Sequence, residues 1–497
     1  MDNHNNMKRK TIITKSKYLN GLKCSKLLWV DCNDRERIPA PDMSQQHIFD
    51  QGDVVGELAK KLYPDGVDIP YDRGKFFENI DKTRELLSSG KVLFEAGILV
   101  KDLYARVDIF KPAGDGKWDI IEVKSSTGMK EVYLHDVAFQ WYCCEMSGLK
   151  IDKCFLVCID NGYERSGEIE PEEFFHKHDV TSQLDAYTVG MEERIEKMRK
   201  VISCNECPEI EIGLYCRKPY TCALEGECWK KLPGDNVFAL YNCGPKKGFP
   251  LYESGIKSIQ DIPENELSIK QLIQKKCEKT GETYIDKEAI KAFLDKVRYP
   301  IYFMDFETIN PAVPLFDGSR PYQKIPFQFS VHVSRAPGED LEHYGFLSKN
   351  MEDPRHKFLE ELKSSLGEDG TIMVFNRGFE EGVLSELAAF SPEYAEWVRK
   401  IKSRVVDLLE PFRGFDYYNP AQHGSASIKK VLPAVVGKSY EDMGITTGGD
   451  ASVLYFHAIY GDAEVSEREK VFGDLEEYCA LDTEGMVWIL KELGRLM

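Results

Sequence analysis

In the run YFMDFETINP, which begins at Tyr302, Asp305 and Glu307 stand either side of one aromatic residue. If this bulky apolar stretch is a strand, side chains two apart point the same way, so both acids lie on one face. Like charges held that close repel unless a cation is shared between them. Carboxylates that share divalent cations are equipped for phosphoryl transfer, which needs further acids from elsewhere in the chain. Two segments offer them. TIMVFNRGFEEGVL puts Glu380 at the end of an apolar strand and the start of a helix, with Glu381 beside it but turned another way. DLEEYCALDTEGMVWIL puts Tyr478 and Asp482 four apart, on one face of a predicted helix. The plain alternative is a set of ordinary surface acids on an edge strand.

A second constellation lies upstream. ARVDIF carries Asp108, and WDIIEVKSS carries Glu122 and Lys124 on one face of the next predicted strand. A hairpin between them would bring Asp108 alongside. Two acids suit a hard divalent ion, and a lysine suits hydroxide or developing phosphate charge. Salt-bridged strand residues would explain the Glu122–Lys124 pair equally well in isolation. Gln140, in DVAFQWY, falls on the following helix. Among fourteen cysteines, Cys216, Cys222 and Cys228 are each separated by five residues, and Cys24 lies far upstream. Cys204-x-x-Cys207 has the spacing familiar from zinc sites. Cys143, Cys144, Cys154 and Cys158 lie in apolar context and read as core. Ser425, Ser427 and Lys429 precede an apolar helix, where phosphate contact and helix capping fit alike; they are not assigned to catalysis.

The elements that must position these groups read as α/β throughout. Helical periodicity over SKYLNGLKCSKLLWV and QQHIFDQGDVVGELAKKLYP gives way to β-rich runs from KVLFEAGILV, with PAGDGK as a hairpin turn. A strand–helix–strand pattern follows, then the cysteines, then a charged helical stretch. The economical division is 1–231, a connecting helical module at 232–296, and a second α/β domain at 297–497. A length of 497 residues supports such cores. The N-terminus has no continuous apolar segment, so a cytoplasmic protein with reduced thiols and no membrane association is expected. A net charge of −18 is unusual for a nucleic-acid binder. Such binding would need local basic patches, for which KRKTIITKSK, CWKK and GPKKG are candidates.

The DFE, NRGFE and YCALD segments resemble, in order, the three motifs of DnaQ-like 3′–5′ exonucleases, in the tyrosine subclass (DEDDy). The resemblance implies an RNase H-like fold in which Asp305, Glu307, Glu380 and Asp482 ligate two Mg²⁺ or Mn²⁺ ions and Tyr478 orients the attacking water. Glu380 departs from the family's usual aspartate. Asp108, Glu122, Lys124 and Gln140 resemble the RecB-like branch of PD-(D/E)xK nucleases, which implies a restriction-endonuclease-like fold with Asp108 and Glu122 as metal ligands. Here Gly56 stands where that branch has a histidine, and Glu57 is the neighbouring substitute. Cys24 with Cys216, Cys222 and Cys228 resembles the iron–sulfur variants of that branch, including CRISPR-associated exonucleases, and implies a 4Fe–4S cluster, with Zn²⁺ as the alternative. The whole chain is similar to an uncharacterised bacterial family that fuses the two nuclease types. LYESGIKSIQDIP in the module looks like a helix-hairpin-helix contact or a packing hinge. The expected activity is metal-dependent hydrolysis of DNA, at single-stranded ends, in repair or defence against foreign DNA. The rivals are a nucleic-acid-binding scaffold with an inactive N-terminal domain and an RNA-processing exonuclease.

Overall fold

A computed structural model describes residues 12–70 and 76–497. Part of the basic run Lys8–Lys17, and most of the segment read for the absence of a leader, lie outside them. Among the described residues no helix is long and apolar enough to cross a membrane. The chain forms two compact units: residues 1–231 with 311–322, and residues 232–310 with 323–497. The stretch 232–296 thus sits with the C-terminal part.

The first unit is built on a seven-stranded mixed sheet. Its strands are β1 (Ile13–Thr14), β2 (Val67–Asp68), β3 (Leu93–Val100), β4 (Leu103–Gly114), β5 (Lys117–Lys124), β6 (Lys150–Ile159) and β7 (Phe175–Asp179), in the order β2-β3-β4-β5-β6-β7 with β1 pairing parallel to β4. The antiparallel β4–β5 hairpin turns at Gly114-Asp115-Gly116, all three at positive φ. Two glycines make that left-handed turn inexpensive. Both faces of the sheet are covered. Helices α1 (Lys15–Lys23), α2 (Ser25–Asn33), α5 (Glu131–Met146) and α6 (Met191–Ser203) bury one face around Tyr18, Leu28, Phe110 and Phe139. Helix α3 (Met43–Lys60) packs Val55 and Ala59 on the other, against Ile109, Ile121 and Val157. Helix α4 (Phe76–Leu86) packs beside β3. Two-sided burial explains the unbroken apolar run Cys154–Ile159 of β6, and Cys143, Cys144, Cys154 and Cys158 are all buried here.

The second unit opens with short helical segments, among them α7 (Ile269–Thr280), started by a Ser268–Gln271 capping box. A two-stranded ribbon pairs β8 (Tyr284–Ile285) with the late strand β14 (Tyr417–Tyr418). Between them lies a five-stranded mixed sheet of β9 (Ile301–Ile309), β10 (Ile325–Ser334), β11 (Glu342–Leu347), β12 (Thr371–Val374) and β13 (Val405–Asp407), ordered β11-β10-β9-β12-β13. One face of β9, through Tyr302, Met304 and Phe306, joins a core with α8 (Arg355–Ser365) and α9 (Arg377–Phe390). Its opposite face meets α11 (Gly448–Tyr460) and α12 (Val465–Arg495), while α10 (Ile428–Val436) packs on α12. Period-2 alternation therefore turns Asp305 and Glu307 toward α12.

Phe358 of α8 is fully buried and meets the rings of Phe306, Phe329 and Phe346. Phe358→Ala is expected to destabilise the C-terminal unit by about 3–5 kcal/mol, measured by denaturant unfolding.

Candidate metal centre

Asp305, Glu307 and Asp482 each offer a ligand oxygen, and these atoms all lie within 4.8 Å of one another. Among the described residues this is the one group of three or more His, Cys, Asp or Glu at such spacing. β9 supplies two of them and α12 the third. Helix α12 is fastened beside the site by polar contacts to β10: Gln328 Nε2 donates to the Leu475 carbonyl at 2.8 Å. Ser330 Oγ and His332 Nδ1 each lie 2.7 Å from Thr483 Oγ1, the residue after Asp482. α11 meets β9 through Ser452 Oγ, which donates to the Thr308 carbonyl at 2.6 Å. At the start of α11, a Cβ on Gly448 would stand 3.5 Å from a Glu307 oxygen and 3.9 Å from the Tyr478 hydroxyl, so the helix end closes on the acids.

Burial and mutual repulsion govern the charges. Asp305 is held well above the usual carboxylate range by burial and then by Asp482. Glu307 is raised likewise by burial, Asp305 and Asp482. Burial pushes Asp482 up to about 6, although the Tyr440 hydroxyl donates to it at 2.6 Å. Three carboxyls that cannot all ionise alone are the donor set a divalent cation would satisfy: hard oxygens, buried, clustered and short of positive charge. The residues present fit such an ion.

Glu380 lies just outside this group. Asp407 of β13 accepts from the backbone N–H groups of Asn376 and Arg377 at 3.0 and 3.2 Å, fixing the first turn of α9. That turn buries Glu380, whose Oε2 has no hydrogen-bond partner. Burial, then the charge of Asp305, pushes Glu380 up to about 9. Glu381 instead pairs with Arg377 at 2.7 Å, away from the cluster. Tyr478 is buried one helical turn before Asp482, and its hydroxyl accepts from Lys429 Nζ at 2.7 Å. The Lys429 ammonium also lies over the Tyr440 and Tyr478 rings, at 4.7 and 4.4 Å. Burial lowers its pKa, against the pull of the three acids.

Lys429 and Tyr440 were not foreseen as part of the site. Lys429 carried a signal, a lysine at the start of an apolar helix that suits phosphate contact, although capping explains the serines beside it equally well; Tyr440 carried none. Cys479, whose Sγ lies 3.8 Å from Asp305 Oδ2, is likewise invisible before the helix is seated.

In the first unit, β4, β5 and α5 bring together Asp108, Glu122, Lys124 and Gln140, with two additions, Asp136 and Lys15. Glu122 Oε1 accepts from Lys124 Nζ at 2.5 Å and from Lys15 Nζ at 2.8 Å. Its Oε2 accepts from Gln140 Nε2 at 2.6 Å. Asp136 bonds Lys124 at 2.6 Å and Gln140 at 3.2 Å. Asp108 Oδ2 accepts the Val123 N–H at 2.9 Å. Burial opposes the Glu122 charge, but the two lysines prevail and hold its pKa below the usual range. Asp108 is raised to about 7 by burial and Glu122, against the pull of Lys15 and Lys124. Asp136 stands four residues before Gln140, a spacing that could have revealed it. Gly56 faces open space, and Glu57 pairs with Lys60 at 2.6 Å on the surface.

Cys24, Cys216, Cys222 and Cys228 line one small cavity, with Lys26, Ile212 and Tyr215. No three of these sulfurs lie within 4.8 Å of one another. Cys204 and Cys207 do not line it.

Residues 302–427 match a domain of unknown function, DUF2779. The matched stretch holds Asp305, Glu307 and Glu380 and ends before Lys429, Tyr478 and Asp482. The chain is similar to the uncharacterized protein MG366 of Mycoplasma genitalium, 26% identical over 221 residues, or 39% of this chain and 32% of that protein. The MG366 homolog of Mycoplasma pneumoniae is 26% identical over 220 residues, 40% and 33% of the two chains. The uncharacterized protein UU173 of Ureaplasma parvum is 25% identical over 240 residues, 43% and 34%. The chain spans about a third of the length of these relatives.

Raised carboxyl pKa values make the folded C-terminal unit bind more protons than its unfolded chain. Its stability therefore falls as pH rises from the ordinary carboxylate range through about 6, where Asp482 loses its proton, and on through about 9, where Glu380 does. In chelator, the melting temperature is expected to drop across that window. Saturating Mn²⁺ is expected to restore it, by about 2.7 kcal/mol at a hundredfold excess over Kd. Asp305→Asn should flatten the pH slope and abolish the Mn²⁺ shift, both read by calorimetry.

Proposed function

We propose that this chain is a divalent-cation-dependent nuclease whose C-terminal unit trims 3′ ends of nucleic acid, DNA in preference to RNA. The observation that carries the reading is the convergence of Asp305, Glu307 and Asp482 beside the Lys429–Tyr478 contact. Mg²⁺ or Mn²⁺ bound there would supply the positive charge that activates water and stabilises a departing 3′ oxygen. The protein's own groups have separable tasks. Asp305, Glu307 and Asp482 hold the ions, and Glu380, with its unpartnered oxygen, is the fourth acid facing Asp305. Tyr478, its pKa pushed up by burial and Asp482, keeps its proton and can orient a water. Lys429 fixes the Tyr478 hydroxyl and brings a cation to the phosphate side of the acids. A D-x-E pair on the central strand of a mixed sheet, with the Tyr478–Asp482 helix against it, supports the DnaQ-like, RNase H-like reading. End trimming of this kind suits DNA repair or defence against foreign DNA.

The N-terminal unit is proposed as a PD-(D/E)xK-like site, supported by Lys124 and Gln140 each bonding Glu122. The four-cysteine cavity is proposed to hold a 4Fe–4S cluster that fastens α1–α2 to the segment after α6. All four thiols line that one cavity, which supports a shared metal group there; Zn²⁺ is the alternative occupant.

The test is degradation of end-labelled single-stranded DNA and RNA with Mg²⁺ or Mn²⁺. Asp305→Ala is expected to abolish 3′ trimming, and Lys429→Met to slow it by about 10²-fold or more. Trimming that survives Asp305→Ala unchanged contradicts the proposal, and faster loss of RNA than DNA redirects it to RNA processing.

A further inference from the structure

The N-terminal acids meet the problem of buried like charges differently from the C-terminal ones. Their positive charge is already present, as two lysines. Lys124 comes from the same strand as Glu122. Lys15 comes from 107 residues away, and its position is tightly specified. Strand β1 pairs Ile13 and Thr14 with Leu103 and Tyr104 of β4, and the Ile13 N–H donates to the Asp102 carbonyl at 2.8 Å. Thr14 then caps α1 by accepting from the Lys17 N–H, so Lys15 is the first residue of that helix. From there its ammonium reaches Glu122 at 2.8 Å and Asp136 at 3.4 Å, two carboxylates whose side chains are 1% and 4% exposed. With Lys124 and Gln140 on the same oxygens, every oxygen of Glu122 and Asp136 has a donor on the protein or an ammonium within 3.4 Å. The Gln140 Oε1 atom, fully buried in this cluster, is left with no partner. As they stand, these residues do not form a cradle for a divalent ion: the set of three clustered ligand oxygens is found only at Asp305, Glu307 and Asp482 among the described residues.

We infer that Lys15 is the resident cation of the N-terminal acids, a positioning residue that stands where a divalent ion would bind and keeps that site metal-free until the start of α1 withdraws. This rests on the reading of Asp108, Glu122 and Lys124 as a nuclease-like site. A single ammonium pairing Glu122 with Asp136 satisfies the same two charges as a bridging divalent ion, and the two cannot occupy one place. Withdrawal of Lys15 alone would leave Glu122 and Asp136 each with Lys124 and Gln140, and would remove one of the two ammonium charges beside the unpartnered carbonyl of Gln140. The cluster would then be short of one positive charge, which is the condition for taking up a hard cation. The device concerns access to the acids; Lys124 remains the lysine placed for chemistry.

Binding of Mn²⁺ alone to the full chain, followed by the loss of its free electron paramagnetic resonance signal, separates the cases. In an Asp305→Asn background, which removes the C-terminal cluster, the chain is expected to take up no Mn²⁺ that depends on Glu122. Adding Lys15→Gln, which keeps a hydrogen-bonding group and removes the charge, is expected to create one site bound at least roughly tenfold tighter, lost again on adding Glu122→Gln. Lys15→Arg, which keeps the charge, should behave as the lysine does. The inference is overturned if Asp305→Asn retains a Mn²⁺ site that Glu122→Gln removes, since metal would then bind with Lys15 in place. It is equally overturned if the Lys15→Gln chain, folded by circular dichroism, gains no site. Should Lys15→Gln unfold the unit, Lys15→Met is read in its place, and the Glu122 comparison with Lys15 intact still decides. A Glu122-dependent Mn²⁺ site that appears only once Lys15 is replaced, and that cuts no strand, would leave the inference standing and refute the nuclease-like reading of this unit.

Discussion

Repulsion between buried carboxylates is the constraint on which the C-terminal unit is organised. Asp305 and Glu307 are forced onto one face by strand geometry, and α12 carries Asp482 down onto them; among the described residues Lys429 is the cation that acts on all three buried carboxyls. An arrangement this unfavourable persists only because the surrounding structure over-determines it. The aromatic core behind β9, the Gln328 and Thr483 contacts that seat α12, and the close approach of Gly448 all hold groups that would otherwise separate. Stability is spent on a carboxyl cluster that could coordinate a cation.

The N-terminal unit poses the same problem and solves it within the chain. Asp108, Glu122 and Asp136 are as deeply buried, yet two ammonium groups and an amide satisfy two of the three. The outcome is visible in the opposite pKa directions of Glu122, held low, and Glu307, held high. Both are strand carboxylates in buried settings; the difference is the count of cations within bonding distance. One unit thus holds a carboxyl cluster that could take a metal ion and the other a cluster already paired with lysines, which is why Lys15 matters more than its place near the N-terminus would suggest.

Much of the C-terminal site was legible because each of its parts is local. Alternation alone puts Asp305 and Glu307 together, and a four-residue step alone puts Tyr478 above Asp482. The strand before Glu380 and the helix after it follow from TIMV and RGFEEGVL. What could not be read is whatever depends on packing between distant elements. Tyr440 lies in an irregular segment, and only the seating of α10 and α12 brings its hydroxyl to Asp482. Lys429 at a helix start suits phosphate, with capping an equal account of the serines before it; its contact with Tyr478, 49 residues on, is tertiary. The E-x-K pair announced itself, whereas Lys15 reaches Glu122 through a two-residue strand too short for any periodicity to reveal.

The central claim is that Asp305, Glu307 and Asp482 share a divalent cation, and anomalous diffraction from crystals grown with Mn²⁺ tests it most directly. The account predicts an anomalous peak within coordination distance, about 2.0–2.6 Å, of oxygens from all three carboxylates. It also predicts that this peak vanishes in Asp305→Asn. A structure in which the three acids stay together with no peak between them, or in which Mn²⁺ lies elsewhere and ignores that substitution, would contradict it.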